Sequence, residues 1–319
     1  AGNAWFLAHS PLCFDALYCY NGFYLVRIFP LRGSVFLKFW KMNGAGNDFI
    51  VLDNRGGAIP ENALPALARR VCERRLSLGA DGLMAVEPPQ VGGDFRMRFF
   101  NADGSAGEMC GNGARCICRY GYENGLAGET VRVETPAGLV TGYRLGERDY
   151  RIRLNDPSVA ELDRSTEVEG MLYELSYIEL GSPGLPHAVV HIDDLADAAI
   201  GTLTYLGRAL RYHPDFPKGA NVNFYEITGN NRVLLRTYER GVEDFTYACG
   251  TGTGATVLAL TLRGELPAGE DIDVLQRGGT LRVRVELEGG AVRNLWLTGP
   301  TNIVAKGELT DEDLCQILK

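Results

Sequence analysis

Two cysteines sit in the same local frame, 139 residues apart: Cys110-Gly111-Asn112-Gly113-Ala114-Arg115 and Cys249-Gly250-Thr251-Gly252-Thr253-Gly254-Ala255. Each is Cys-Gly-x-Gly at the point where an irregular stretch turns into an apolar, helix-like run. A reduced cysteine at a helix N-terminus faces unpaired backbone N–H groups and the positive end of the helix dipole, which favour its thiolate. The same N–H groups can hold a carboxylate. Two such units facing each other present two thiols to one carboxylate-bearing carbon. That arrangement takes a proton from one face and returns one to the other, which is the chemistry of a racemase or epimerase. The two sulfurs must then come close enough to form a disulfide when oxidised without substrate.

Stepping along the chain from Val35 gives strand-like runs and short helices that must position these thiols. Strands are predicted at Phe36–Trp40 and Phe49–Asp53, around the turn Asn43-Gly44-Ala45-Gly46-Asn47-Asp48. A helix is predicted over Leu64–Arg75, then strands over Gly82–Val86, Asp94–Asn101, Thr130–Glu134 and Leu139–Tyr143. The helix after Cys110 reaches about Tyr122, with Ala114, Ile117, Cys118 and Tyr120 inward. The second half repeats the theme. Strands are predicted at Met171–Leu180, Ala188–Ile192, Asn223–Ile227 and Arg232–Tyr238, a helix over Gly250–Arg263 stopped by Gly264, then strands at Leu281–Leu287 and Val292–Thr298. Each half is mostly β, wrapped about one helix that begins at its cysteine.

Bulk properties fit a globular enzyme and exclude some partners. The 319 residues suit two domains, with 45% hydrophobic and 23% charged residues. A net charge of −8 argues against nucleic acid and anionic membrane. The eight cysteines, at 13, 19, 72, 110, 116, 118, 249 and 315, do not resemble a secreted disulfide framework, so a reduced, cytoplasmic setting is expected. Cys116 and Cys118 lack zinc-ligand spacing and a nearby His, so they and Cys72 read as core residues, not metal ligands. Residues 1–35 lack the uninterrupted apolar span of a membrane helix and the basic start of a secretory signal. They read as an arm over an apolar surface, or as a stretch translated upstream of the natural start.

The ordered motifs carry a resemblance. They are Met42-Asn43-Gly44-Ala45-Gly46-Asn47-Asp48-Phe49, Gly79-Ala80-Asp81-Gly82, Phe100-Asn101-Ala102-Asp103-Gly104-Ser105, Cys110 to Arg115, Glu134-Thr135-Pro136-Ala137-Gly138, Gly219-Ala220-Asn221-Val222, Glu239-Arg240-Gly241 and Ala248-Cys249-Gly250-Thr251-Gly252. In this order, from Lys41 to about Gly299, the chain resembles the diaminopimelate epimerases. The resemblance implies an α/β (α+β) fold of two related domains, each a mostly antiparallel, barrel-like sheet around a central helix, with the active site in the cleft between them. On this sequence the domains are expected at 36–153 and 154–299, with 300–319 packing back on the first.

The resemblance also implies the reaction and its residues: LL-2,6-diaminopimelate is converted to the meso form without a cofactor or metal, by a protein expected to be a homodimer. Cys249 is implied as the base on the LL substrate and Cys110 as the acid. The backbone N–H groups of Gly111, Asn112, Gly250 and Thr251 are placed to clamp the reacting carboxylate. Asn47, Asn101 and Asn221 match substrate-binding positions, and Arg240 suits a distal carboxylate because its planar fork binds bidentately. Glu239 matches the position that receives the ammonium group, and His187 the histidine beside the reacting centre. Taken singly, Asn47 would be a turn residue, Arg240 a surface charge and His187 a structural histidine. Their order in the motif set joins them.

The chain departs from the family pattern at three places. Gly184-Leu185-Pro186-His187 stands where the family has Gly-Asn-Pro-His, so Leu185 replaces an amide; Gly82 stands where some members have Gln; and residues 1–35 have no counterpart. Leu185 keeps open a racemase for proline, hydroxyproline or histidine. A non-catalytic anion-binding module is the third reading, but it has no need of cysteine at both helix starts.

Overall fold

The computed structural model describes residues 18–20, 23–25, 37–107, 110–310 and 314–317. Most of the expected N-terminal arm lies outside the described residues, apart from a hairpin of β1 (Tyr18–Tyr20) and β2 (Phe23–Leu25). The first half comprises β3 (Leu37–Gly44), β4 (Asn47–Asp53), a 3-10 turn at Glu61–Ala63, α1 (Leu64–Cys72), β5 (Gly82–Glu87), β6 (Phe95–Asn101) and β7 (Ala106–Gly107). It continues through α2 (Gly111–Glu123), β8 (Thr130–Thr135), β9 (Gly138–Arg144) and β10 (Asp149–Arg153). The second half opens with β11 (Pro157–Val168), β12 (Met171–Leu180), β13 (Leu185–His191), α3 (Ile200–Arg211), β14 (Asn221–Gly229), β15 (Arg232–Glu239) and β16 (Asp244–Phe245). Then come α4 (Gly250–Leu262), β17 (Ile272–Gln276), β18 (Gly279–Glu288), β19 (Ala291–Pro300), β20 (Asn302–Leu309) and α5 (Leu314–Ile317).

Strand pairing repeats between the halves. β4 runs parallel to β5 across α1, as β13 does to β14 across α3. β6 runs parallel to β8 across α2, as β15 does to β17 across α4. Most other neighbours are antiparallel hairpins, and the whole sheet closes on itself. β10 pairs with β9 on one side and β19 on the other, so it joins the two halves. β20 returns the chain to β3, and β11 takes the equivalent place beside β12.

Each half wraps its sheet around the helix that starts at its cysteine. α4 carries no charged residue and is small or apolar on every face, the pattern of a helix enclosed on all sides. It packs among Ile178, Val233, Val283, Leu295 and Leu297, all within 2% of full burial. α2 is buried from Gly111 to Gly121, among Phe49, Met84, Phe95 and Val131. Full burial of each such aliphatic side chain contributes roughly 1.5–3 kcal/mol, so the two helix starts are held by their surroundings and not by intrinsic helix propensity.

The predicted helix over Leu64–Arg75 ends early, at Cys72. Glu73 is already extended, Arg75 has φ 79°, and Arg74 is drawn away to Asp48 and Asp81 at 2.7 and 3.0 Å. Two salt-bridge partners off the helix outweigh one further helical turn.

Candidate active site

Cys110 and Cys249 are the N-cap residues of α2 and α4, both extended, with φ −120° and −110°. The two helix starts abut. A Cβ placed on Gly111 would lie 3.8 Å from Gly250 Cα, and one on Gly250 would lie 3.5 Å from Gly111 Cα. Glycine at both positions lets the ends face each other with no side chain between them. The first-turn N–H groups of each helix have no partner within the helix and carry the positive ends of two dipoles. Asn112 ties the ends together, since its Nδ2 donates to the carbonyl of Ala248, next to Cys249, at 3.0 Å.

The two sulfurs meet different partners. Cys110 Sγ donates to Asn47 Oδ1 at 3.2 Å. Asn47 is turned that way because its Nδ2 donates to Asp81 Oδ2 at 2.5 Å, and Arg74 in turn holds Asp81. Cys249 Sγ instead accepts from the Gly252 backbone N–H at 3.4 Å, with Thr251 Oγ1 at 3.6 Å. A carbonyl acceptor favours a thiol, whereas N–H donors favour a thiolate. Burial pushes both thiols above the ordinary cysteine value, and the charge of Glu239 acts in the same direction on each. The first-turn groups of each helix oppose that rise: Gly113 and Asn112 at Cys110, Gly252 and Thr251 at Cys249. Glu239 is itself pushed upward by burial, against the opposing pull of the neighbouring Thr246 and Cys249 side chains.

His187 is fully buried on β13, beside Asn221 of the parallel strand β14. Burial and then the nearby Arg240 charge depress it to about 3, so it is a neutral imidazole at physiological pH. Its Nδ1 lies 3.3 Å from Asn223 Nδ2, and its Nε2 has no hydrogen-bond partner among the described residues. Asn221 Oδ1 accepts from the Arg240 backbone N–H at 2.8 Å, and Arg240 Nη1 donates to the Lys218 carbonyl at 2.8 Å. Lys218 is anchored by Glu179 at 2.8 Å. Leu185 lies half-buried on β13, two residues before His187 and so on the same strand face.

Asn101 stands at the rim: it is exposed, and its Nδ2 donates to Ser105 Oγ at 2.9 Å. It sits opposite Gly82 across β5–β6, next to Asp81. Cys72, Cys116 and Cys118 are free and buried, and burial pushes all three up to about 12. Among the described residues no group of His, Cys, Asp or Glu is arranged to hold a metal ion. No helix among them is long and apolar enough to cross a membrane.

Several residues at the site were not singled out in the sequence. Asp81 had its motif as a signal. Asn223 lies two residues after Asn221 on one strand, so Asn-Val-Asn on a predicted strand was the available clue. Gln276, which accepts from the Cys249 backbone N–H at 3.2 Å and donates to Thr253 at 2.9 Å, had no local signal at all.

Solved structures share this architecture. A probable proline racemase from Agrobacterium radiobacter K84 superposes with a TM-score of 0.64 at 17% identity, covering 87% of this chain and 94% of that one. A Bacillus anthracis phenazine biosynthesis protein of the PhzF family gives 0.65 at 15% identity, covering 86% and 99%. The fold is therefore the duplicated one shared by proline racemase-like and PhzF-like proteins. Sequence comparison is narrower. A diaminopimelate epimerase family model matches residues 39–144 and 181–304. The diaminopimelate epimerase of Aquifex aeolicus is 38% identical over 288 residues, covering 87% of this chain and 99% of the relative. That of Archaeoglobus fulgidus is 39% identical over 273 residues, covering 81% and 94%. The chain belongs to the diaminopimelate epimerase family.

Proposed function

We propose that this protein epimerises LL-2,6-diaminopimelate to meso-diaminopimelate, a step of lysine and peptidoglycan precursor synthesis, with Cys249 as base and Cys110 as acid. The observation that carries the reading is the abutment of two helix starts, each capped by a cysteine. The substrate carboxylate binds between the N–H groups of Gly111 and Asn112 and those of Gly250 and Thr251. The Cys249 thiolate takes the α-proton, and the C–H electron pair moves towards the carboxylate, where the two helix dipoles stabilise it. Cys110 then gives its proton to the opposite face. In the reverse direction the thiols exchange roles, and they titrate as a coupled pair.

Glu239 receives the reacting ammonium group, and His187 packs beside the reacting centre as a neutral ring. Asn47, Asn101, Asn221 and Arg240 bind the substrate, with the Arg240 fork on the distal carboxylate. We further propose two domains, 36–153 and 154–299, with the site between them, and a cytoplasmic homodimer with no nucleic-acid partner. A reducing compartment keeps both thiols usable.

The test is purified protein in D2O with LL-diaminopimelate, proline, hydroxyproline, histidine and lysine, followed by NMR. Fast deuterium entry into diaminopimelate alone supports the reading. Equal or faster entry into proline or histidine would keep the chemistry and replace the substrate, with Leu185 as the reason.

A further inference from the structure

The most completely buried large polar side chain near the site is not one that touches substrate in this reading. Arg115 is 0% exposed, directly beneath the first turn of α2. Its Nη2 donates to Asn112 Oδ1 at 2.9 Å and its Nη1 to the Gly111 carbonyl at 3.2 Å, while Nε has no partner among the described residues. Among the described residues no carboxylate pairs with it. The titratable groups whose charge reaches it are Cys110, Cys116 and Cys118 of its own helix. The strands packed over it, β3 and β19, present glycine there: a Cβ on Gly44 would lie 3.5 Å from Nη2, and one on Gly299 3.1 Å from Nε. Beyond Cys110, Glu239 on β15 is the carboxylate whose charge reaches that sulfur, and Cys110 and Cys249 also interact.

A buried cation without a carboxylate partner is costly, and an arginine does not escape the cost by losing its proton. What it gains here is a fixed geometry and a field. Asn112 is gripped from both ends: Arg115 holds its oxygen, and its nitrogen holds Ala248 beside the other cysteine. Meanwhile turnover brings negative charge, a thiolate and a carboxylate, to the mouth of the same helix.

We propose that Arg115 is the positioning residue of the cysteine pair, fixing Asn112 so that the two helix starts stay in register and supplying the buried positive charge that balances thiolate and substrate carboxylate. This rests on the reading of Cys110 and Cys249 as acid and base. Arg115 reaches the reaction through Asn112 and through its field, and does not touch the substrate.

Two variants separate the two parts of the role. Arg115→Met keeps much of the length and removes the charge, whereas Arg115→Lys keeps the charge and loses the planar fork. The first readout is the pH midpoint of Cys110 alkylation by iodoacetamide in the Cys249→Ala background, resolved by peptide mass spectrometry. The second is kcat and KM for LL-diaminopimelate. Arg115→Met raises the alkylation midpoint, and the acid limb of kcat/KM, by on the order of one pH unit. Arg115→Lys leaves the midpoint in place but lowers kcat by about ten-fold with little change in KM, because Asn112 is no longer held. If Arg115→Met does not fold by circular dichroism, Arg115→Lys carries the test, and a wild-type kcat there overturns the proposal. A folded Arg115→Met with an unmoved midpoint overturns it whatever its kcat. Turnover surviving in Cys110→Ala sinks the acid–base reading itself. A dead Cys110→Ala beside an unaffected Arg115→Met sinks only this proposal.

Discussion

At the scale of single residues, the site works by contrast between partners that look alike in sequence. Both cysteines open a Cys-Gly-x-Gly unit and meet first-turn N–H groups, but Cys110 also faces the Asn47 amide oxygen and Cys249 the Glu239 carboxylate. His187 adds a buried neutral ring. Its folded value of about 3 lies below the ordinary 6.5, so its contribution to stability is complete above 6.5 and is lost as pH falls from there towards 3. The loss runs at up to about 1.4 kcal/mol per pH unit. A His187→Gln protein lacks this proton and should show a correspondingly flatter fall in urea-unfolding free energy between pH 6 and 4. Parallel slopes for the two proteins would show that His187 is not a buried neutral ring. Arg240 belongs to the same scale. A site built for a charged distal head leaves polar groups unpaired when that head is missing. LL-Diaminopimelate should therefore exceed lysine in kcat/KM by about a thousand-fold or more. Arg240→Lys should erode that ratio although charge is conserved, because only the fork binds a carboxylate with two parallel bonds. An unchanged ratio in steady-state assays would remove Arg240 from the distal site.

At the scale of elements, α4 must start where it does. Gly252 shows how little room there is: a Cβ there would lie 2.3 Å from Asn223 Oδ1 and 3.3 Å from Cys249 Sγ. Asn223 cannot yield easily, since Thr237 and the Ala188 and Asn221 carbonyls all hold it. Gly252→Ala should cost about 1–3 kcal/mol of stability and most of the activity, as overpacking in a filled interior does. Gly128→Ala, which meets open space, should change neither. Thermal melts and turnover of the pair decide it, and a wild-type Gly252→Ala would mean that this helix start is slack. Elements also divide by how well the sequence declared them. α2, α4 and the strands with dense β-branched runs were legible from their periodicity. α3 was not, because Ile200–Arg211 carries two glycines and two threonines that disfavour a helix; burial of Leu203, Leu206 and Leu210 on one face overrides them. β10 and β20 are rich in charged or exposed residues, and their strand state comes from partners distant in sequence, such as Trp296 opposite Arg153 and Asn43 opposite Asn302.

At the scale of the whole molecule, duplication brings the two catalytic candidates together. Each half supplies one helix capped by cysteine, and β10 joins the halves by pairing to β9 and β19. The repeated Cys-Gly-x-Gly units showed this in outline. The network between halves was not legible, because Asn112 to Ala248 is a long-range contact with no periodic signature. The central claim is that two thiols, one from each half, act on opposite faces of one carbon. It is tested most directly by following LL-diaminopimelate in D2O by NMR with wild-type, Cys110→Ala and Cys249→Ala proteins. The account predicts that early wild-type product carries one deuterium at the inverted carbon while recovered substrate carries almost none, and that neither variant completes epimerisation. Deuterium entering substrate as fast as product, or normal turnover in either variant, would contradict it.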